Sequence, residues 1–369
     1  VASVTARIGS ATPADRDRGV DALRALAILG VVAGHWLVTT WVHGPGGKVY
    51  ISSPLAYLPA LTPLSWVFQT LAVFFFVGGY AAARSLRSAT GYPAWVRART
   101  GRLLRPVGPL ALVWTGIAAG MALHGMPYGT IRALALPAVG PLWFLAVFAA
   151  LSAATPLLLR VRPGAVAVSA FAVVLVVDAL RFGEAGPDWL KWVNLVAGWL
   201  LPYVLGVGWA GGALASRRAA VALLAGGAAG TAVLVAGFGY PASMVGVTGA
   251  EISNLGPPTL AAVCFGVAQV GLALLVREPL ARLMRRPRLW AAVAVANLGA
   301  MTLFLWHQTA LTATVLAALR FGDVPGLLTP PTDPVWPLYR LAWLPVFAAP
   351  LGAVWLLQRA RRRFDDRVS

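Results

Sequence analysis

The sequence predicts an all-α polytopic membrane protein: a single bundle of about ten transmembrane helices, with N- and C-termini cytoplasmic. Three observations carry that prediction. Of the 369 residues, 59% are hydrophobic and only 11% are charged, with a mean hydropathy of +0.75, whereas a soluble domain carries about a quarter charged residues. The apolar residues fall in runs near the ~20 residues that an α-helix needs to cross a bilayer. The basic residues gather in short clusters between those runs, mostly on one side when the sides are alternated. The net charge of +18 would point to nucleic acid in a soluble chain. Here the clusters set topology and meet anionic lipid headgroups, so membrane lipid is the expected partner and nucleic acid is not. The single Cys264 rules out an internal disulfide and any cysteine-based metal site, and no metal is expected.

Residues 1–19 are polar and basic and read as a loose cytoplasmic tail. The first span runs from about Val20 to Val42. It is too long for a signal-peptide core, and its charged stripe argues that it is retained. A Gly/Pro-rich loop leads to the second span, about Leu64 to Ala83, containing LAVFFFVGGYAAA. The most basic loop follows, with Arg84, Arg87, Arg97, Arg99, Arg102 and Arg105. The third span covers about Val107 to Leu123, and the fourth about Pro141 to Leu159, opening with PLWFL. The fifth (Ala165 to Ala179), sixth (Trp192 to Gly212) and seventh (Ala219 to Phe238) are closely spaced. A long neutral loop, YPASMVGVTGAEISNLGPP, precedes the eighth, Thr259 to Val276. A second basic loop leads to the ninth, Ala291 to Leu319, which carries LFLWHQT. The tenth, Leu338 to Leu357, ends in a basic cytoplasmic tail, 359–369.

The count is tested by charge. With the N-terminus inside, only Lys48, Arg132, Arg181, Lys191, Arg320 and Arg340 of the 30 Lys and Arg fall outside. A miscounted helix would scramble this asymmetry from that point on. Trp41, Trp143, Trp189, Trp192 and Trp336 sit near span ends, as interfacial anchors do.

In RGVDALRALAILGVVAGHW, Arg24 and His35 lie eleven residues apart without an intervening Pro. Eleven steps of a helix return to nearly the same face, so the two share one stripe, roughly 16 Å apart. Asp21 is placed to pair with Arg24. Arg24 then sits at a water interface and His35 deep in the hydrocarbon, where an ionisable group is costly and turns towards the protein interior. The bland reading is an interhelical hydrogen bond. His307 lies equally deep in the ninth span and invites the same two readings; His43 and His124 fall at wet span ends. Imidazole is the side chain best suited to move protons near neutral pH. Arg99, Arg102 and Arg105, spaced by three in RTGRLLRP, can line one side of a short helix and dock a phosphorylated molecule, or simply hold topology. In FFFVGGY, the pair Gly78-Gly79 permits close backbone approach, and Tyr80 adds a hydroxyl. Asp178 and Arg181 are expected to pair structurally. Glu251, Ser253 and Asn254 lie in a loop long enough to fold over a site. No P-loop, GxSxG elbow, HExxH or Gly-rich dinucleotide turn is present.

Together these stretches resemble acyltransferase family 3, the integral membrane acyl-CoA-dependent O-acyltransferases. The Arg24-to-His35 spacing, the lead-in RGVDALRALAILGVVAGHW, FFFVGGY, RTGRLLRP, PLWFL and LFLWHQT follow that family's order over nearly the whole chain. One departure is that the family usually has Ser-Gly where this chain has Gly78-Gly79. The resemblance implies a transmembrane acyltransferase domain over 20–358. It further implies transfer of an acyl group, often acetyl, from cytosolic acyl-CoA to a hydroxyl of a glycan, glycolipid or small metabolite. By the same resemblance, His35 acts as base or acyl shuttle, with Arg24 near the thioester entrance and His307 at the reaction centre. Arg99, Arg102 and Arg105 hold the phosphates of CoA. Independently of the resemblance, Tyr80, Trp143 and Asn254 are the residues expected to contact the acceptor. The expected place is a bacterial inner membrane. The rival function is a proton-coupled transporter or flippase with His35 and His307 as a relay, against which no repeat symmetry is visible. A scaffold without activity is the third reading.

Overall fold

The computed structural model describes the backbone of residues 2–368 and the side chains of residues 5–46 and 48–356. The predicted basic tail, 359–369, lies outside the residues whose side chains are described. Among the described residues, ten helices are long and apolar enough to cross a membrane. They are Arg18–Val38, Pro59–Arg87, Tyr92–Leu123, Tyr128–Ala153, Pro163–Phe182, Asp188–Ala210, Arg217–Gly237, Leu260–Leu283, Ala300–Phe321 and Trp336–Leu356. The protein is an all-α, multi-pass membrane protein.

Several boundaries differ from the sequence reading, each for a local reason. The predicted ninth span, from Ala291, is two helices, Pro287–Leu298 and Ala300–Ala318. Gly299 ends the first at φ −87° and ψ 0°, outside the helical region, with its N–H bonded back to Val295 O at 2.9 Å. The second span is likewise interrupted: Leu64–Phe68 stops at Gln69, whose backbone is extended, before Leu71–Arg87 begins. The stretch read as a loose tail forms a helix, Ala2–Ser10, against Pro287–Leu298. Trp290 Nε1 donates to Thr12 Oγ1 there at 2.9 Å. One small ribbon breaks the all-helical pattern. Strands β1 (Thr40–His43) and β2 (Val49–Ser52) pair antiparallel, with Trp41 opposite Ile51 across the GPGG turn.

The first span is an inner helix: 61% of it is buried, against 17% of the third, seventh and tenth spans. Those outer helices turn Leu112, Val233 and Leu338 outward, which is stable only against lipid chains. The second and sixth spans cross at backbone contact. A Cβ on Gly79 would lie 2.1 Å from the Tyr203 oxygen, and one on Gly206 would lie 1.9 Å from the Phe76 oxygen. Small residues on both helices thus set the crossing, as they do where hydrophobic burial cannot drive helix pairing.

The first span opens on Asp17, whose Oδ1 accepts from Val20 N at 3.1 Å and caps the helix. Since successive spans alternate, the loops at 39–58 and 238–259 lie at the end of the bundle opposite the N-terminus. The ends of the second, sixth and eighth spans return to the N-terminal end.

Candidate active site

The first and ninth spans bring His35 and His307 together. His35 Nδ1 and His307 Nε2 are 2.7 Å apart, and the ring planes are within 3° of parallel with centroids 4.9 Å apart. The rings therefore meet edge to edge through their nitrogens. On its other side, His307 Nδ1 lies 2.7 Å from the carbonyl oxygen of Phe304. A carbonyl only accepts, so His307 Nδ1 carries the proton. With both rings neutral, His307 Nε2 is then bare and accepts from His35 Nδ1–H. That leaves His35 Nε2 as the unprotonated nitrogen. It makes no hydrogen bond to the protein among the described residues, and the His35 ring forms part of a cavity wall. His307 is fully buried behind it.

The helix end carrying His35 is held from outside the helix. Arg340 in the tenth span is fully buried, and its guanidinium donates to three carbonyls. Nε bonds Trp36 O at 2.6 Å, Nη1 bonds Gly326 O at 2.9 Å, and Nη2 bonds Thr39 O. Trp36 and Thr39 belong to the last turn and cap of the first span, whose terminal carbonyls have no partner within the helix. Trp36 Nε1 also donates to His307 O at 2.9 Å, tying the first and ninth spans beside the histidine pair.

The cavity has a volume of about 370 Å³. His35, Val31 and Gly34 of the first span form one wall, with Phe304 and Gln308 of the ninth beside them. The Gln69–Thr70 break in the second span lines another, and Trp143 and Phe144 a third. β2 and the loop containing Gly246, Thr248 and Ser253 close it at the end opposite the N-terminus. Its polar lining is hydroxyl and amide. Among the described residues no Asp, Glu, Lys or Arg lines it, and His35 is its one titratable group. Gln308 Nε2 donates to Thr39 Oγ1 at 3.3 Å, while its Oε1 is buried without a partner.

The covering loop is fixed by two buried side chains. Asn254 Nδ2 donates to Pro241 O (2.7 Å) and Ser243 O (2.8 Å), and its Oδ1 accepts from Thr259 at 2.6 Å. Asn254, taken from sequence as an acceptor contact, is thus fully buried and consumed by the loop; its neighbour Ser253 is the one that lines the cavity. Asp178 was expected to pair with Arg181. Instead it accepts from Asn194 Nδ2 at 2.9 Å, Tyr240 OH at 3.0 Å and Leu260 N at 2.6 Å, and Arg181 Nη1 has no partner. Burial, then the Asp178 charge, pushes the Tyr240 phenol above its ordinary value, which keeps it the donor of that bond.

The other sequence candidates are dispersed. Trp143 lines the cavity and packs near Trp199, with centroids 6.2 Å apart. Arg24 does not reach it: Nη2 bonds Asp21 at 3.2 Å, as its spacing predicts, and Nε bonds Asn297 Oδ1 at 2.7 Å. Arg16 completes the Asp21 pair at 2.5 Å and 2.9 Å. Arg99, Arg102 and Arg105 do not line one face, because three residues of a helix fall ~60° short of a turn. Arg99 turns inward, donating to Gly78 O at 3.2 Å and Ser152 Oγ at 3.4 Å. Arg102 and Arg105 stay exposed. Tyr80 lies on the N-terminal side, its hydroxyl accepting from Arg84 Nη1 at 2.9 Å. A Cβ at Gly78 would lie 2.3 Å from Phe148 Cε2, so this phenylalanine ring occupies the space that a serine side chain would need. His43 and His124 sit at wet span ends, bonded to Asp323 (2.8 Å) and Gly120 O (2.9 Å). Arg340 and Gln308 were not singled out from sequence. Arg340 was one basic residue among six on the sparse side, although an arginine inside an apolar span is itself a signal.

The chain is thus a helix bundle with paired intramembrane histidines, and the comparison with known families is specific. The Acyltransferase domain of acyltransferase family 3 matches residues 17–362, and the chain belongs to that family. It is an acyltransferase. Neither curated proteins nor solved structures give a match.

Proposed function

We propose that the chain transfers an acyl group, acetyl in the simplest case, from acyl-CoA to a hydroxyl of a glycan, glycolipid or small metabolite, with His35 as the reacting base. The single observation that carries the reading is the directed chain from Phe304 O through His307 to His35, which leaves His35 Nε2 bare at the wall of an uncharged polar cavity. The acceptor hydroxyl gives its proton to Nε2 while its oxygen attacks the thioester carbonyl carbon. Collapse of the tetrahedral adduct breaks the C–S bond, and the CoA thiolate takes up the proton from the imidazolium. His307 shares the imidazolium charge through its hydrogen bond and holds the reactive tautomer, the role that an orienting partner has for a catalytic imidazole. The same nitrogen acts as nucleophile if the acyl group reaches it first, forming an acyl-imidazole that the acceptor then opens.

The excess of arginine puts the N-terminal end on the cytosolic side of a bacterial inner membrane. Exposed Arg102 and Arg105 then face the CoA phosphates, Arg99 braces the second span, and Arg24 organises the entrance of the first. The cavity, at the other end, receives the acceptor against Trp143. The test is release of free CoA from acetyl-CoA by purified protein supplied with extracted glycans and lipids. Release is expected to need both acceptor and His35 and to vanish in folded His35→Ala. Undiminished release in that variant removes His35 from the mechanism. Acid-quenched single turnovers without acceptor separate the two routes, because labelled acyl-protein accumulates only in the nucleophilic one.

A further inference from the structure

At the N-terminal end, away from the cavity, Arg84, Arg87 and Arg277 face one another across a cup of about 520 Å³. We infer that this cup is a binding site for a phosphate group, separate from the Arg102/Arg105 pair and independent of whether the chain acylates a hydroxyl.

The cup is built around a close, tilted aromatic pair. Tyr80 and Trp209 lie with ring centroids 4.2 Å apart, and Trp209 in turn stacks on Phe76 at 5.1 Å. The Arg84 guanidinium sits 5.7 Å from the Tyr80 centroid and the Arg277 guanidinium 5.6 Å from that of Trp209. Each of the two cations thus lies against one ring of this aromatic cluster, an arrangement that orients guanidinium groups before any ligand arrives. Arg87 donates to Ala210 O at 2.8 Å and joins the rim with Ser88.

The charge balance distinguishes this cluster from an ordinary ion-pair network. Asp17 is held by Arg277 at 2.6 Å and 3.0 Å. The charges of Asp17 and of exposed Asp15 both reach Arg84, but neither carboxylate hydrogen-bonds it. Arg84 spends one N–H on a phenol and Arg87 one on a carbonyl, so neither hydrogen-bonds a carboxylate. Each guanidinium has five donors. Most of those on two exposed, fixed cations therefore remain for an oxyanion, and a phosphate, with three or four acceptor oxygens and up to two charges, matches that fork geometry. Among the described residues no acidic side chain lines the cup. Its place at the ends of the second and sixth spans puts it within reach both of lipid headgroups and of soluble phosphorylated molecules. The phosphate chemistry is shared by the two sources, and the experiment separates them.

The protein is reconstituted in nanodiscs of purely zwitterionic lipid, and binding of adenosine 3′,5′-bisphosphate is measured by calorimetry, with inorganic pyrophosphate as competitor. Native mass spectrometry of detergent-purified protein counts retained phosphatidylglycerol in parallel. The variants are Arg84→Gln and Arg87→Gln, with exposed Arg160→Gln as control and Arg84→Lys as the charge-keeping form. Thermal midpoints confirm folding, and Arg277→Gln is avoided because it would also release Asp17. For a soluble ligand, each Gln variant weakens bisphosphate binding roughly ten-fold or more, as loss of a charged hydrogen bond requires, while Arg84→Lys retains part of it. For a lipid ligand, nucleotide binding is unchanged and the Gln variants lose retained phosphatidylglycerol. If neither quantity differs between the Gln variants and Arg160→Gln, the cup is not a phosphate site.

Discussion

The two ends of the first span solve the problem of a polar group in a membrane helix in different ways. At the N-terminal end, Arg24 shares Asp21 with Arg16 and donates a further bond to Asn297 Oδ1. Its side chain keeps 32% exposure, so water and counter-ions share the work. Eleven residues on, among the described residues no carboxylate bonds His35 or its helix end. Polarity there is met by a second imidazole, by Phe304 O, and by Arg340, whose positive charge is met by carbonyls and by the rings of Phe347 and Trp336. The wet end tolerates exchange of partners because charge is screened there. The deep end depends on one set of directions for every proton, because an unpaired polar group in a dry interior costs its full desolvation. A site for proton transfer belongs at the second kind of place.

The largest expected effect tests that contrast directly. His35→Ala lowers acyl transfer by at least ~100-fold, the low end for loss of a general base, whereas Arg24→Gln changes the rate only a few-fold; equal losses in the CoA-release assay would end the distinction. Next, His307→Ala lowers kcat by about ten- to a hundred-fold with little change in acceptor KM, since it removes the tautomer-holding partner but no substrate contact. A change confined to KM would place His307 in binding instead. Third, Arg340→Met lowers stability by about 3 kcal/mol by stranding carbonyls of Trp36, Thr39 and Gly326. Its thermal midpoint in detergent is the readout, and a wild-type value would show that the cap is dispensable. Fourth, Gly78→Ser costs ~1–3 kcal/mol through overpacking against Phe148. The cost shrinks when Phe148→Leu is added; an unrelieved double variant would mean that the clash lies elsewhere. Smallest is the stability effect of Arg24→Gln, about 1 kcal/mol or less, because Arg16 still holds Asp21.

The spans and their order were readable because a bilayer demands ~20 apolar residues per crossing and the chain has little other polarity to confuse the pattern. The Asp21–Arg24 pair was readable for a related reason, since a helix alone brings positions three apart together. Where a single glycine or an extended Gln69 interrupts an apolar run, composition does not change, and the breaks at Gly299 and Gln69 passed unseen. The arginines at 99, 102 and 105 failed as a set because spacing by three says that side chains are near, not which way the helix is rolled. Packing on Gly78 and Ser152 rolls Arg99 inward.

By itself, then, the sequence determined the membrane, the number of spans, the family and the depth of His35 and His307, because hydropathy, charge bias and motif spacing act along the chain. Tertiary structure alone decided that those two histidines share a hydrogen bond, that Phe304 O directs it, and that Arg340 caps the helix beside them. It also drew Arg84, Arg87 and Arg277 from two spans into one cup. The reason is physical: each of these contacts joins helices distant in sequence, and their rotation and crossing are set by packing, as at Gly79 and Gly206, which the period of any single helix does not encode.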